Sequence, residues 1–399
     1  MEIIDKATKE WTIEARRRLH RHPDPTGEEA GTQALLFQLL EELGIPARPI
    51  AGTGIIADIE GGLSGRTVAL RADIDALRID EVPTDRNSKY ISESPGVMHA
   101  CGHDGHMAMV LGVAKVLAAK GDDLPGRLRL IFQPHEEKHP GGATTIIDEG
   151  GLEGVDAIFG YHIMGYLPSG LIAFRPGSQM AHIRTFDITF TGKSGHHMDP
   201  KQCIDPIVMA SRFVDTIERD VANELDPTHP FVFGFGSIHG GAQFNQTPDQ
   251  VVLEGTYRTF DPDDADTISR VMERSLDSLV KAFTSDPDED VPSIEFALVE
   301  GYPVVENDPD LATRAAGLLR DRGFEIDPVT PLNFGAEDFA YYLKEVPGLF
   351  MFLGTNNPEK GITAVNHSSR FDIDEDILEL GVRAMATLAL DSLAQEDSV

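Results

Sequence analysis

Between residues 26 and 161 short apolar runs alternate with helical stretches, and this alternation restricts the possible folds more than any other feature. Thr67–Arg71, bounded by Gly65-Arg66 and Asp73, reads as a buried strand, as do Leu128–Phe132 and Ala157–Tyr161. Thr26–Leu43 carries Leu35, Leu36, Leu39, Leu40 and Leu43 at helical spacing, with Gly44 to close it, and Met107–Ala119 is a second helix ending near Gly121. Strands alternating with helices predict an α/β fold, a mostly parallel sheet with helices on both faces. The rhythm then changes. Strands at Phe186–Thr191, Phe231–Ile238, Val251–Phe260 and Ile294–Val299 enclose helices at Ile204–Ile217 and Thr267–Phe283. That order is β-α-β-β-α-β, a ferredoxin-like unit, with Ser285–Pro292 as an acidic loop. After Gly301 the first rhythm resumes, with helix Pro309–Arg320, strand Leu349–Leu353 and helix Asp376–Leu390, before a polar end at Ala394–Val399. The expected organisation is a discontinuous domain, 1–182 with 301–399, into which a smaller domain, 183–300, is inserted. A length of 399 residues suits two or three domains.

Composition removes whole classes of function. At 41% hydrophobic and 25% charged residues the chain is of ordinary globular make-up, neither collagen-like, disordered nor disulfide-stapled. Lys and Arg number 34 against 66 Asp and Glu, a net charge of −32, and no basic cluster is present to hold a phosphate backbone or an anionic membrane. Nucleic acid is therefore not an expected partner. Only 11 of the basic residues are lysine. Such acidity suits a salt-adapted, halophilic source, and it suits an ordinary acidic enzyme equally well. No run of about 18 apolar residues exists to span a membrane. Met1–Glu10 has no apolar core of a secretory signal. Two cysteines, Cys101 and Cys203, argue against an oxidising compartment. The expectation is a cytoplasmic protein.

Polar clusters follow the apolar strands: Asp73-x-Asp75, Gln133-Pro-His135-Glu136-Glu137, His162, and a later loop with His367. The segment from His99 to His106 holds three histidines, Cys101 and Asp104 and precedes a helix. In open α/β sheets, sites form beyond the carboxyl ends of the strands, which puts these clusters on one rim. Thiolate, imidazole and carboxylate together are the donors a borderline transition metal prefers. Each residue alone has a plainer reading. Glu136-Glu137 can be a solvated pair, His162 a core histidine, His367 a helix cap, and His196-His197 turn residues. Cys203 is read as a packing residue.

Taken together, Arg71-Ala-Asp-Ile-Asp-Ala-Leu, Val97-Met-His-Ala-Cys-Gly-His-Asp-Gly-His, Phe132-Gln-Pro-His-Glu-Glu, Gly141-Gly-Ala, Gly335-Ala-Glu-Asp-Phe and Val346-Pro-Gly resemble the M20 metallopeptidase family. The likeness is to its amidohydrolase branch, the hydrolases of N-acyl amino acids, hippurate and indoleacetyl amino acids, and it runs from Arg17 to Asp374. The resemblance implies a dinuclear metal site in the discontinuous domain. Cys101 would bridge, His103 and His162 would hold one metal, and Glu137 and His367 the other. Glu136 would be the general base and Asp75 a carboxylate orienting a ligand. The inserted domain would act as lid and dimerisation domain, sending His196 to the partner's active site, with Asn245 and Arg258 facing substrate. Arg78, Gln246-Thr247 and His197 depart from the family's usual residues, which bears on substrate fit.

The implied reaction is hydrolysis of an N-acyl amino acid to a carboxylic acid and a free amino acid, in a homodimer acting on a small molecule. Zinc is the expected metal from the donor set, with manganese, cobalt or nickel as alternatives. A dipeptidase or carboxypeptidase of the same fold, and a metal-binding scaffold without catalysis, are the competing readings. No Gly-x-Ser-x-Gly elbow supports a serine nucleophile.

Overall fold

The computed structural model describes residues 4–284 and 291–395, which fall into two compact units. The expected acidic loop at 285–292 lies outside the described residues up to residue 290, as do the last four residues of the polar C-terminal end.

One unit comprises the chain through Gln179, Val305–Pro331 and everything from Glu337. Its N-terminal part contains α1 (Lys6–Arg21), α2 (Ala30–Glu42), β1 (Ala47–Ile50), β2 (Gly54–Glu60), β3 (Leu63–Asp73), α3 (His103–Ala118), β4 (Pro125–Gln133), α4 (Ala143–Asp148), β5 (Ala157–Pro168) and β6 (Ile172–Ala173), followed by the short β7 (Gly177–Met180). Eight strands, including two from the C-terminal part, form one sheet. At its centre β4, β3, β5 and Gly348–Asn356 are mutually parallel, while β1 and β2 run antiparallel on one flank.

Strand alternation divides the central residues between two faces. Val68, Leu70 and Ala72 of β3 and Phe159, Tyr161 and Ile163 of β5 enter a core built with Leu19, Leu36, Met109, Leu378 and Val382 from the helices. On the opposite face lie Arg71, Asp73 and Gly160. There the ring of Phe339 sits 4.8 Å from Phe350. A Cβ at Gly160 would meet Phe339 at 2.8 Å, so the close approach of ring to strand requires glycine. Helices thus cover both faces, as the alternating pattern predicts.

The second unit comprises Met180–Val304 and Leu332–Ala336. It contains β8 (His182–Thr191), β9 (Gly195–His196), α5 (Pro206–Ala222), β10 (Val232–Gly240), β11 (Gln246–Thr247), β12 (Gln250–Thr259), α6 (Pro262–Phe283) and β13 (Ser293–Glu300). The antiparallel sheet has the order β10-β12-β8-β13, that of a ferredoxin-like fold. Both helices begin with proline after an aspartate whose side chain accepts a backbone N–H, Asp205 for α5 and Asp261 for α6. Their apolar stripes, Met209, Phe213 and Ile217 in α5 and Ile268, Met272 and Leu276 in α6, bury against Phe186, Ile188, Phe190 and Leu253 of the sheet.

The C-terminal part returns to the first unit with β14 (Val305–Asn307), α7 (Pro309–Asp321), β15 (Ile326–Asp327), α8 (Phe339–Glu345), β16 (Gly348–Asn356, the strand already met beside β5) and α9 (Asp376–Leu393). Among the described residues no helix is long and apolar enough to cross a membrane.

Candidate metal centre

The helix expected from Met107 begins four residues earlier, at His103. Its first turn is polar, so apolar periodicity does not register it. Gly102 stands at its N-cap with φ +91°, a left-handed conformation that lets the chain reverse between Cys101 and His103. Asp104 in that first turn receives hydrogen bonds from Arg16 at 2.6 Å and pairs with His20 at 2.8 Å, both from α1. His162 is not at the end of its strand, as the apolar run suggests, but inside β5. The pairing of β5 with β3 stops at Gly160 while its pairing with β16 continues past His162.

These elements bring the expected ligands together within the first unit. Cys101 Sγ lies 3.3 Å from His162 Nε2 and 3.2 Å from His367 Nε2. His367 Nε2 is 3.4 Å from Glu137 Oε1, and His103 Nε2 is 3.8 Å from the same oxygen. Two groups share the thiol, Cys101-His103-His162 and Cys101-Glu137-His367, and Glu136 groups with His103 and Glu137, the donor atoms within each lying inside 4.8 Å. His367 has φ +65°, and its N–H donates to the Ala100 carbonyl at 2.8 Å, tying the late loop to the cysteine segment. Asp75 works on two neighbours: its carbonyl accepts from His103 Nδ1 at 2.9 Å, and its carboxylate accepts the Glu137 N–H at 3.0 Å.

The protonation states follow from burial and charge. His162 donates Nδ1–H to the Ile163 carbonyl at 2.9 Å, and burial holds its pKa well below the usual imidazole range, so Nε2 presents a lone pair toward Cys101. Burial opposes protonation of His103, but the carboxylates of Asp73, Asp75 and Glu137 prevail and push it up to about 10. The Cys101 thiol is pushed well up by burial and by Glu137 and Glu136. The Glu136 carboxyl is likewise raised well above the ordinary range by burial, with Glu337 and Glu137 adding to it. Without a cation this is an unfavourable packing of negative charge. His103 Nε2 is also fully buried with no hydrogen-bond partner. A divalent metal resolves both problems, since it ionises a thiol and takes imidazole lone pairs. The residues therefore fit such an ion.

In the second unit the structure brings two expected residues together. β9 pairs with β11 so that His196 faces Gln246 in register, and Asn245 Nδ2 lies 3.4 Å from His196 Nε2. Arg258 stands apart from them in sequence, on β12, where its guanidinium donates to the Phe334 carbonyl. No carboxylate among the described residues pairs with it, and burial alone lowers its pKa. Cys203 is half-buried, with Sγ toward the Asp199 carbonyl.

Sequence reasoning did not assign the charged layer beneath the ligands. Arg71 is fully buried and donates to Asp73 at 2.7 Å, Gln133 at 2.9 Å, Glu337 at 3.0 Å and Asp338 at 2.8 Å. Asp73 in turn pairs with His106 at 2.6 Å. The signal was present in the spacing, because Arg71 and Asp73 are two apart in a buried strand and so share a face.

Residues 69–391 match the peptidase family M20/M25/M40. The chain is 38% identical to thermostable carboxypeptidase 2 of Saccharolobus solfataricus, with 96% of each chain covered. It is 37% identical to an N-acetyl-L-cysteine deacetylase of Bacillus subtilis, over 91% of this chain and 83% of that one. Among solved structures it resembles the Bacillus subtilis YXEP protein, described as a dinuclear metal-binding peptidase of the M20 family, with a TM-score of 0.83, 33% identity and coverage of 98% and 99%. A match of this extent, on a chain whose cysteine, histidines and glutamates converge as described, establishes the protein as a metal-dependent amidohydrolase of peptidase family M20/M25/M40.

Proposed function

We propose that the protein hydrolyses the amide bond of N-acyl amino acids, releasing a carboxylic acid and a free amino acid, at a centre for two divalent metal ions. The observation that carries this reading is the sharing of Cys101 between two ligand groups, with Glu136 beside them. In it, Cys101, His103 and His162 hold one ion, Cys101, Glu137 and His367 the other, and zinc is the ion the donor set favours over manganese, cobalt or nickel. Bound there, the ions supply Lewis acidity to the amide carbonyl and lower the pKa of the attacking water.

The chain's own residues do the remaining work. Glu136 takes the proton from water as it adds to the carbonyl and delivers it to the departing amine. Asp75 keeps His103 in the tautomer whose Nε2 faces the metal side. In the inserted domain, 183–300, read as a lid and dimerisation domain, His196 donates to the oxyanion of the partner's site and Asn245 orients the substrate. Arg258, with no carboxylate partner among the described residues, binds the carboxylate of the amino acid. The working unit in this reading is a homodimer in a cytoplasm.

The name of the Saccharolobus relative favours a second reading, cleavage of a C-terminal residue from a peptide. Both are tested by metal-reloaded protein given acetyl, benzoyl and indoleacetyl amino acids and unblocked dipeptides, in dilute and concentrated KCl. Amino acid release from one acyl class is the expected result, and higher activity and melting temperature in KCl accompany it if the acidity is a salt adaptation. Cleavage of dipeptides alone would transfer the protein to the peptidase reading.

A further inference from the structure

His106 is buried, and both ring nitrogens are engaged. The Ile163 N–H donates to Nε2 at 2.8 Å. A backbone N–H can only donate, so Nε2 is the acceptor and Nδ1 carries the proton, which goes to Asp73 at 2.6 Å. This tautomer leaves His106 no lone pair for a metal, although its ring lies in a cluster with Asp73 and His103. Asp73 is itself held by Arg71 at 2.7 Å.

The Ile163 N–H needs an acceptor because β5 has left β3 at Gly160, so the imidazole of His106 fills the place a neighbouring strand would occupy. The carbonyl of Ile163 is held as well, by His162 Nδ1 at 2.9 Å and Asn366 Nδ2 at 2.8 Å. The residue that follows His162 is therefore gripped at both its polar groups.

We propose that His106 is a positioning residue for the metal centre. It joins the helix that carries His103 to the strand that carries His162, and so sets the spacing of the Cys101-His103-His162 group. The Cys101-Glu137-His367 group touches Ile163 only through Asn366 beside His367, and has anchors of its own in Asp75 and the Ala100 carbonyl. This inference rests on the reading of the two groups as two metal sites.

The test is cobalt(II) titration of metal-free protein, following the thiolate-to-cobalt absorption and the ions bound per chain. His106→Leu keeps most of the volume and removes both hydrogen bonds. One ion is expected to bind at least about tenfold more weakly, the scale for a lost ligand-orienting partner, while the other is little changed. His106→Gln, whose amide offers a donor and an acceptor at a spacing close to that of the ring nitrogens, is expected to restore most of the loss. Two ions bound at wild-type affinity by His106→Leu, or equal weakening of both, would overturn the inference even if the melting temperature fell. If the leucine variant does not fold, Asp73→Asn decides, because it leaves Arg71 or His106 facing an amide N–H. It is expected to weaken the same single ion, and unchanged uptake of both overturns the proposal. Wild-type protein that binds fewer than two ions overturns the two-site reading itself, and that outcome is visible before any variant is made.

Discussion

The two units carry their candidate residues in opposite physical settings. In the first, Asp75, His103, His106, Glu136 and His162 are all less than a tenth exposed, and hydrogen bonds or neighbouring charges constrain each of them. In the second, His196 is exposed on a two-residue strand, Asn245 is half-buried, and Arg258 has a backbone carbonyl for a partner. The buried members of the candidate centre are fixed in a strand, after a strand and at a helix start within a packed core, and among its proposed ligands His367, on a loop, is the exposed one. Groups that meet substrate gain from staying unsatisfied until it binds. In the proposed function, rigidity and exposure mark different stages of one reaction.

The sharpest way to break this comparison is to change one group of each kind and read metal content and turnover separately. Glu136→Gln is expected to retain metal and lose at least about 10²–10⁴-fold in kcat, the scale of a removed general base. Retained turnover would exclude Glu136 from that role. Next in size, His196→Ala is expected to cost about 10²–10³-fold in kcat, as for a lost oxyanion donor, with metal content unchanged. If metal uptake falls instead, the exposed residue belongs with the ligand cluster and the division between the two settings fails.

A smaller effect concerns stability and pH in the buried charge network. Burial and Arg16 oppose protonation of His20, yet Asp104 and Glu81 prevail and raise its pKa above 6.5. Burial raises the Glu81 carboxyl, but its bonds to His20 and to the Ser92 N–H win and lower it below 4.5. The His20 contribution is complete below 6.5 and is lost as pH rises through its higher folded value. The Glu81 contribution is complete above 4.5 and is lost as pH falls through its lower folded value. Their ion pair therefore stabilises most between these two values. The difference in urea midpoint between wild type and His20→Gln is expected to peak there and to shrink on both sides; a flat difference from pH 4 to 8 would count against the pair. The smallest effect is at Tyr161, whose hydroxyl is buried with no hydrogen-bond partner. Tyr161→Phe is expected to leave stability unchanged or raise it by about 1 kcal/mol, because an unpaired buried hydroxyl costs free energy. A loss of more than that amount would reveal a partner for the hydroxyl.

Much of the architecture was legible because burial on both faces writes itself as apolar runs. Leu128–Phe132 and Leu349–Leu353 fall inside β4 and β16, and the β-α-β-β-α-β order of the second unit is the order observed. The runs understate their strands, since β3 continues to Asp73 and β4 to Gln133, where polar side chains are stabilised by Arg71 rather than by apolar contact. The helix α1 and the strands β1 and β2 were not anticipated. Residues that α1 buries include Thr8, Thr12, Arg16 and His20, a polar set that periodicity cannot distinguish from a solvated face. The ligand residues were legible as a motif, through a cysteine, three histidines and paired glutamates at strand ends. Their division between two metals came with the resemblance; the structure places Cys101 in two of several groups close enough to hold an ion.

The sequence by itself determined the elements and the chemical types available to the site, because hydrophobic periodicity and side-chain identity are local properties. Only the tertiary structure decided which charged residues are safe inside. Arg71 and Arg16 are buried because carboxylates distant in the chain, Glu337 and Asp338 for one and Asp104 and Asp372 for the other, meet them there. The role of His106 belongs to the same class. It depends on a strand leaving its neighbour at Gly160 and exposing one backbone N–H, which no side-chain pattern records.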